Sequence, residues 1–162
     1  PDRPTFEAYR QSEIDAVKPV IQRLKETGWT FGSHTWGHIR LDSRPLESVQ
    51  RDTVRWAEEV GSLVGPTNIL FYPHGGRPDG DDWHSTGPVF QYLQSQGFRI
   101  FASVGINSFS YIKKDISAVI CDRLHPDGTT LRNGKALEWY SQFYDAREII
   151  DLDVRPDLGV TW

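Results

Sequence analysis

Two histidines four residues apart, His34 and His38, are the side chains here whose type and spacing could do chemistry. Imidazoles so placed can turn toward one point, which is what a metal ion requires. The chain has only five histidines, and the same spacing would also serve a surface turn with two solvated rings. The setting, GWTFGSHTWGHIRLD from Gly28 to Asp42, favours the first reading. Trp29 and Phe31 alternate with Thr30 and Gly32, so Trp29–Ser33 reads as a strand that delivers Ser33, His34 and Thr35 at its carboxyl end. Gly37 keeps the turn small, and a second Gly/His turn, Pro73-His74-Gly75-Gly76, follows another apolar run. Thr35 rules out a zinc protease of the H-E-x-x-H kind, which needs a glutamate after the first histidine as its base. No G-x-S-x-G elbow or phosphate-cradling glycine loop is present.

The elements that must hold these residues follow from periodicity. Residues 1–12 carry two prolines and read as a loop ending in Ser12 as a helix N-cap. Ile14, Val17, Val20, Ile21 and Leu24 then mark an amphipathic helix that stops at Gly28. A second helix over Leu46–Leu63 has Val49, Val54, Ala57, Val60 and Leu63 on its apolar face. Asn68–Tyr72 is a buried strand, 77–86 a polar surface loop with Asp79, Asp81 and Asp82 solvated, and Pro88–Gln96 a helix with Val89, Tyr92 and Leu93 inward. Strands are expected at Phe98–Val104, Phe109–Ile112 and Ala118–Leu124, a last helix at Leu131–Tyr144, and a tail without clear period from Ile149. Helices alternating with strands predict a parallel α/β layer, in which chemistry sits at the strand carboxyl ends. There is no internal repeat and no linker, so residues 1–162 read as one domain.

Composition bounds the partners. With 162 residues, 38% hydrophobic and 25% charged, the chain can bury a core of its own. A net charge of −4, and no basic cluster longer than Lys113-Lys114, argue against a nucleic-acid partner. No apolar run approaches the roughly 18 residues of a membrane span. Cys121 lies in the apolar run 118–121 and reads as a buried thiol, neither nucleophile nor disulfide partner. Most of the six Trp, six Tyr and eight Phe belong to the core, leaving one or two to stack on a sugar ring.

Two motifs carry a family resemblance. Ser33-His34-Thr35-Trp36-Gly37-His38 resembles the H-[ST]-x-x-H metal motif of the polysaccharide deacetylases, the NodB homology domain or carbohydrate esterase family four. Phe71-Tyr72-Pro73-His74-Gly75 resembles that family's R-x-P-x-G motif, and the cadence extends over roughly residues 10–135. The resemblance implies an α/β fold of a particular kind, a distorted (β/α) barrel with fewer than eight strands. It implies a divalent metal, most often zinc, with His34 and His38 as two of three protein ligands. The activity implied is removal of N- or O-acetyl groups from a glycan or oligosaccharide, outside the cell or at its envelope. His74, through its backbone N–H, with Tyr72 and Trp36 would be the substrate-side residues. His125, after the apolar strand and Leu124, would be the catalytic acid.

The departures from the family pattern are specific. Its Asp-Asp pair, base and metal ligand on the first strand, has no counterpart here. The expectation is a chain that begins after that strand, the alternative being a carboxylate supplied from elsewhere. Phe71 stands where the family has an arginine that orients the base, and His74 replaces a tyrosine. Asp79–Trp83 matches D-x-x-D-W in letters but falls too close to Gly75 and reads as a loop. A catalytically inactive, deacetylase-like glycan-binding or structural domain is therefore the competing reading.

Overall fold

The computed structural model describes residues 3–80, 87–104, 110–113 and 117–123, together with Glu138, Ser141 and Gln142. Two compact units divide the chain, Pro1–Arg123 and Leu124–Trp162. In the second, the Ser141 hydroxyl donates to the Glu138 carbonyl at 2.7 Å. The helix expected at 131–144, the tail, His84, Asp81, Asp82, Trp83, Leu124 and His125 otherwise lie outside the described residues.

In the first unit, helix α1 spans Arg3–Glu26. It therefore begins well before the expected loop would allow. Pro4 falls in the first turn, where a missing N–H costs nothing, and Glu7, Ala8, Arg10 and Gln11 are good helix formers. Ser12 does not cap; its hydroxyl donates back to the Tyr9 carbonyl at 2.7 Å. The stop at Gly28 is as expected: Gly28 has φ +89°, its N–H reaches the Lys25 carbonyl, and Trp29 N–H reaches that of Leu24. This paired arrangement satisfies carbonyls that the helix end would otherwise leave bare.

Helix α2, Leu46–Trp56, runs through a π-helical turn at Ala57–Gly61 into the single turn α3, Ser62–Val64. Its buried face is Val49, Asp52 and Trp56, at spacings of three and four. Val54 and Ala57, expected inside, are exposed, because a carboxylate at 52 takes the inner position that an apolar pattern would not assign to it. Helix α4, Pro88–Ser95, buries Val89, Phe90 and Leu93. Its start is held by Asp79, whose carboxylate accepts the N–H groups of Val89 and Phe90 at 3.2 and 2.9 Å. Asp79 is thus exposed but engaged, in the left-handed region at φ +57°. The charge also complements the positive end of the helix dipole.

Among the described residues four strands, β1 (Ile69–Phe71), β2 (Ile100–Val104), β3 (Ser110–Lys113) and β4 (Ala118–Arg123), form one sheet in the order β1-β2-β4-β3. β1, β2 and β4 are mutually parallel and β3 runs antiparallel at the edge. The observed architecture is therefore an α/β fold with a small parallel sheet. Leu41, Val49, Leu70, Tyr72, Phe90, Leu93, Phe101 and Ile120 belong to one buried cluster shared by α2, α4 and the parallel strands.

The expected strand at 29–33 contracts to a single parallel bridge, Ser33 to Leu70. Ser33 N–H donates to the Ile69 carbonyl at 2.9 Å, and Phe71 N–H to that of Ser33 at 2.8 Å. Trp29, expected inward, is 67% exposed. Gly32 is what allows the close approach, since a Cβ there would lie 2.5 Å from Phe71 Cε2 and 3.1 Å from Ile69 Cγ2. Gly32→Ala should destabilise the chain by about 1–3 kcal/mol through overpacking, measured as a lowered midpoint in urea unfolding.

Candidate active site

Parallel strands place their carboxyl ends side by side. Phe71 of β1 is in register with Ala102, and Val104 of β2 with Arg123 of β4. Just beyond β1, Pro73–Gly75 makes one turn of 3-10 helix with His74 at φ +55° and Gly75 at φ +68°. Gly75 packs against the end of β2, where a Cβ would meet Val104 Cγ1 at 3.2 Å. The Ser33 bridge sets the 33–38 segment beside this turn.

The two motif turns bring three imidazoles into a row. The His34 and His38 ring centres lie 4.8 Å apart and edge-on, and those of His38 and His74 4.5 Å apart in the same manner. His34 Nδ1 lies 2.9 Å from the Phe71 carbonyl oxygen. A carbonyl can only accept, so Nδ1 carries the proton and Nε2 keeps a free lone pair. A backbone acceptor in this position fixes both the tautomer and the orientation of the ring. Burial pushes the His34 pKa down, the bond to Phe71 opposes that, and the charges of Arg123, His38 and His74 add to the lowering. The neutral ring is thus the folded form. Stability contributed by this group is complete above the ordinary value of 6.5 and is lost as pH falls through the depressed one. The His34 ring protons should accordingly titrate below 6.5 in an NMR pH series on the metal-free chain.

The loop joining the two histidines is tightly bonded. Asp52 of α2, buried at 9% exposure, accepts the N–H of Trp36 at 2.9 Å on one oxygen and that of Gly37 at 2.7 Å on the other. Thr35 N–H donates to the Ser33 hydroxyl oxygen, and Ile39 N–H to that of Thr35. These bonds hold Thr35 at φ +61° and His38 at φ +51°. Left-handed backbone is strained for both residue types and persists only where surroundings enforce it. Asp52 braces the loop that carries both histidines, and the sequence alone did not single it out. Its only signal was a carboxylate at the core spacing of a helix, three residues after Val49.

Trp36 is 39% exposed. The Arg55 guanidinium lies 3.4 Å from its ring centre and its indole N–H donates to Glu59 at 3.2 Å. One ring face is therefore covered, and Trp36 stands as a braced wall beside the turn. Tyr72, expected on the substrate side, is wholly buried with its ring 6.3 Å from that of Phe101. It is a core residue, because the chain turns inward at the end of β1 before Pro73 turns it out. His74 is exposed. Its N–H lies in the first turn of the 3-10 helix, where donors have no partner within the turn. His125 lies outside the described residues. Cys121 is a free, half-buried thiol whose pKa burial raises, a setting unsuited to a nucleophile. A groove of about 560 Å³ lined by Lys25, Trp29, Phe31, Val64 and Asn68 adjoins the residues preceding β1, at the opposite strand end from the histidines.

Two neutral imidazoles on one zinc, each bonded at about 2.1 Å, set their ring centres on the order of 5 Å apart. The His34–His38 separation of 4.8 Å fits that. Among the described residues no three His, Cys, Asp or Glu side chains are grouped to hold an ion. The separation of these two rings is one that a shared ion would allow, and among the described residues no third donor is grouped with them.

The fold is thus an α/β arrangement that carries braced imidazoles and a tight turn at adjoining strand ends. The polysaccharide deacetylase family profile matches residues 5–98, more than half of the chain. The chain belongs to that family. The match takes in both histidine turns and α4, a shorter span than the 10–135 expected from cadence. No curated protein sequence and no solved structure matches the chain. Among the described residues no helix is long and apolar enough to cross a membrane.

Proposed function

We propose that the protein is a metal-dependent deacetylase that removes N- or O-acetyl groups from a glycan, on a distorted (β/α) barrel. The observation that carries this is the orientation of His34: Nδ1 fixed by the Phe71 carbonyl, Nε2 free, and the His38 ring 4.8 Å away. His34 and His38 would hold a divalent ion, most suitably zinc, with a third donor supplied from outside that pair. When bound, such an ion lowers the pKa of its water and polarises the acetyl carbonyl. The chain's own residues do the rest. Asp52 fixes the loop so that the imidazoles need not reorganise. The His74 N–H faces the acyl oxygen as it gains negative charge. Trp36, braced by Arg55 and Glu59, offers its remaining face to a sugar ring. His125 is the proposed acid that protonates the leaving amine or alcohol.

Phe71, where the family has arginine, favours one alternative: a deacetylase-like domain that binds glycan without hydrolysing it. Acetate release from an N-acetylated chitooligosaccharide and from an aryl acetate separates the two readings. Release that stops on chelation and returns with zinc supports the enzyme; saturable oligosaccharide binding with no release under any divalent metal supports the binding domain.

A further inference from the structure

Arg123 ends β4 in register with Val104, at the same carboxyl end of the parallel strands as Phe71. Its guanidinium carbon stands 5.8 Å from the centre of the Phe71 ring, within the distance of about 6 Å at which a cation is drawn to an aromatic face. The carbonyl of that same Phe71 lies 2.9 Å from His34 Nδ1. Arg123 Nε is buried and has no hydrogen-bond partner among the described residues. The adjacent carboxylate does not serve it. Asp122 points to the other side of the strand by alternation and is held by Arg77 at 2.9 Å. A guanidinium keeps its charge at all working pH values and presents its donors as a planar fork. A buried donor left without an acceptor calls for an explanation, of which an absent ligand is one.

We propose that Arg123 is a carboxylate receptor at the strand ends, its Nε–H and one Nη–H receiving the two oxygens of a carboxylate beside His34. A guanidinium can receive a carboxylate on two donors at once, which a lysine cannot reproduce. Two sources present that group: acetate, and the acid group of a uronic sugar. The proposal rests on the deacetylase reading only for which of these is bound.

The test is titration of the metal-free full chain with sodium acetate and with sodium glucuronate at constant ionic strength, with sodium chloride as control. The Arg123 Nε–H and His34 ring resonances are followed. A saturable shift in the millimolar range with a carboxylate, and none with chloride, is expected. Tighter acetate binding identifies a product site, tighter glucuronate binding a substrate site. R123Q should weaken binding at least tenfold, and R123K should fall between. Should either variant not fold, the Arg123 Nε–H shift in the unaltered chain still decides. No saturable shift at that resonance, or R123Q binding as tightly as the unaltered chain, overturns the proposal. Carboxylate binding in a chain that releases no acetate under any divalent metal leaves the receptor standing and sinks the deacetylase reading; acetate release without carboxylate binding at Arg123 does the reverse.

Discussion

Replacing His34 with Ala is expected to abolish stoichiometric zinc uptake, with the affinity falling at least a hundredfold. The ring is one of the two imidazoles proposed to donate, and the one whose other nitrogen is fixed by the Phe71 carbonyl. Its loss removes a bond and leaves His38, on exposed left-handed backbone, without a fixed neighbour. Because His34 is only part-buried, its removal should cost less stability than truncating a core aromatic such as Phe101. Metal content after dialysis, alongside a melting curve, checks both halves. Unchanged zinc content in H34A would remove His34 from the ligand set.

Asp52→Ala should act on fold and site together. The carboxylate accepts two backbone N–H groups from a loop that carries two left-handed residues. Hydrogen bonds to a charged acceptor are worth more than neutral ones, and stranding both donors should cost about 2–4 kcal/mol, less where water reaches the exposed loop. Outer partners that orient ligands typically matter by about 10–100-fold in metal affinity. A urea midpoint and a zinc titration well below the melting temperature separate these effects. A lowered midpoint with unaltered zinc affinity would make Asp52 a folding residue alone. Asp52→Asn, which keeps the shape and one acceptor, should fall between Ala and the unaltered chain.

How much of this was legible in the sequence depends on how local each cause is. His34, His38 and the turn at His74 could be read because their spacing and flanking glycines are short-range facts. Parallel pairing of β1 with β2 follows from the helix α4 between them, whereas β4 joins in parallel after the antiparallel strand β3, which alternation of helix and strand does not predict. The strand at 29–33 was overread. Alternation of Trp29 and Phe31 suggested a pleat, but only Ser33 finds a partner on β1, and Trp29 is left in solvent. The start of α1 was misplaced because two prolines suggested a loop, although Pro4 fits a first turn.

Long-range partnerships were beyond reach. Asp52 reaches residues 15 and 16 positions away, Asp79 caps a helix ten positions on, and Arg123 comes over Phe71 from another strand. Asp79 reads as solvated, and Asp52 and Arg123 go unremarked, because the partner of each is defined only by the fold. Tyr72 shows the converse error: a residue inside a recognisable motif lent itself to a site role, yet its ring fills the core.

The central claim, that His34 and His38 together hold the metal of a deacetylase site, is tested most directly by anomalous diffraction at the zinc edge from crystals of the full chain grown with zinc. A single peak about 2.1 Å from His34 Nε2 and within the same distance of a His38 nitrogen is the expected result. A peak elsewhere, or none at this pair with zinc in excess, would contradict it.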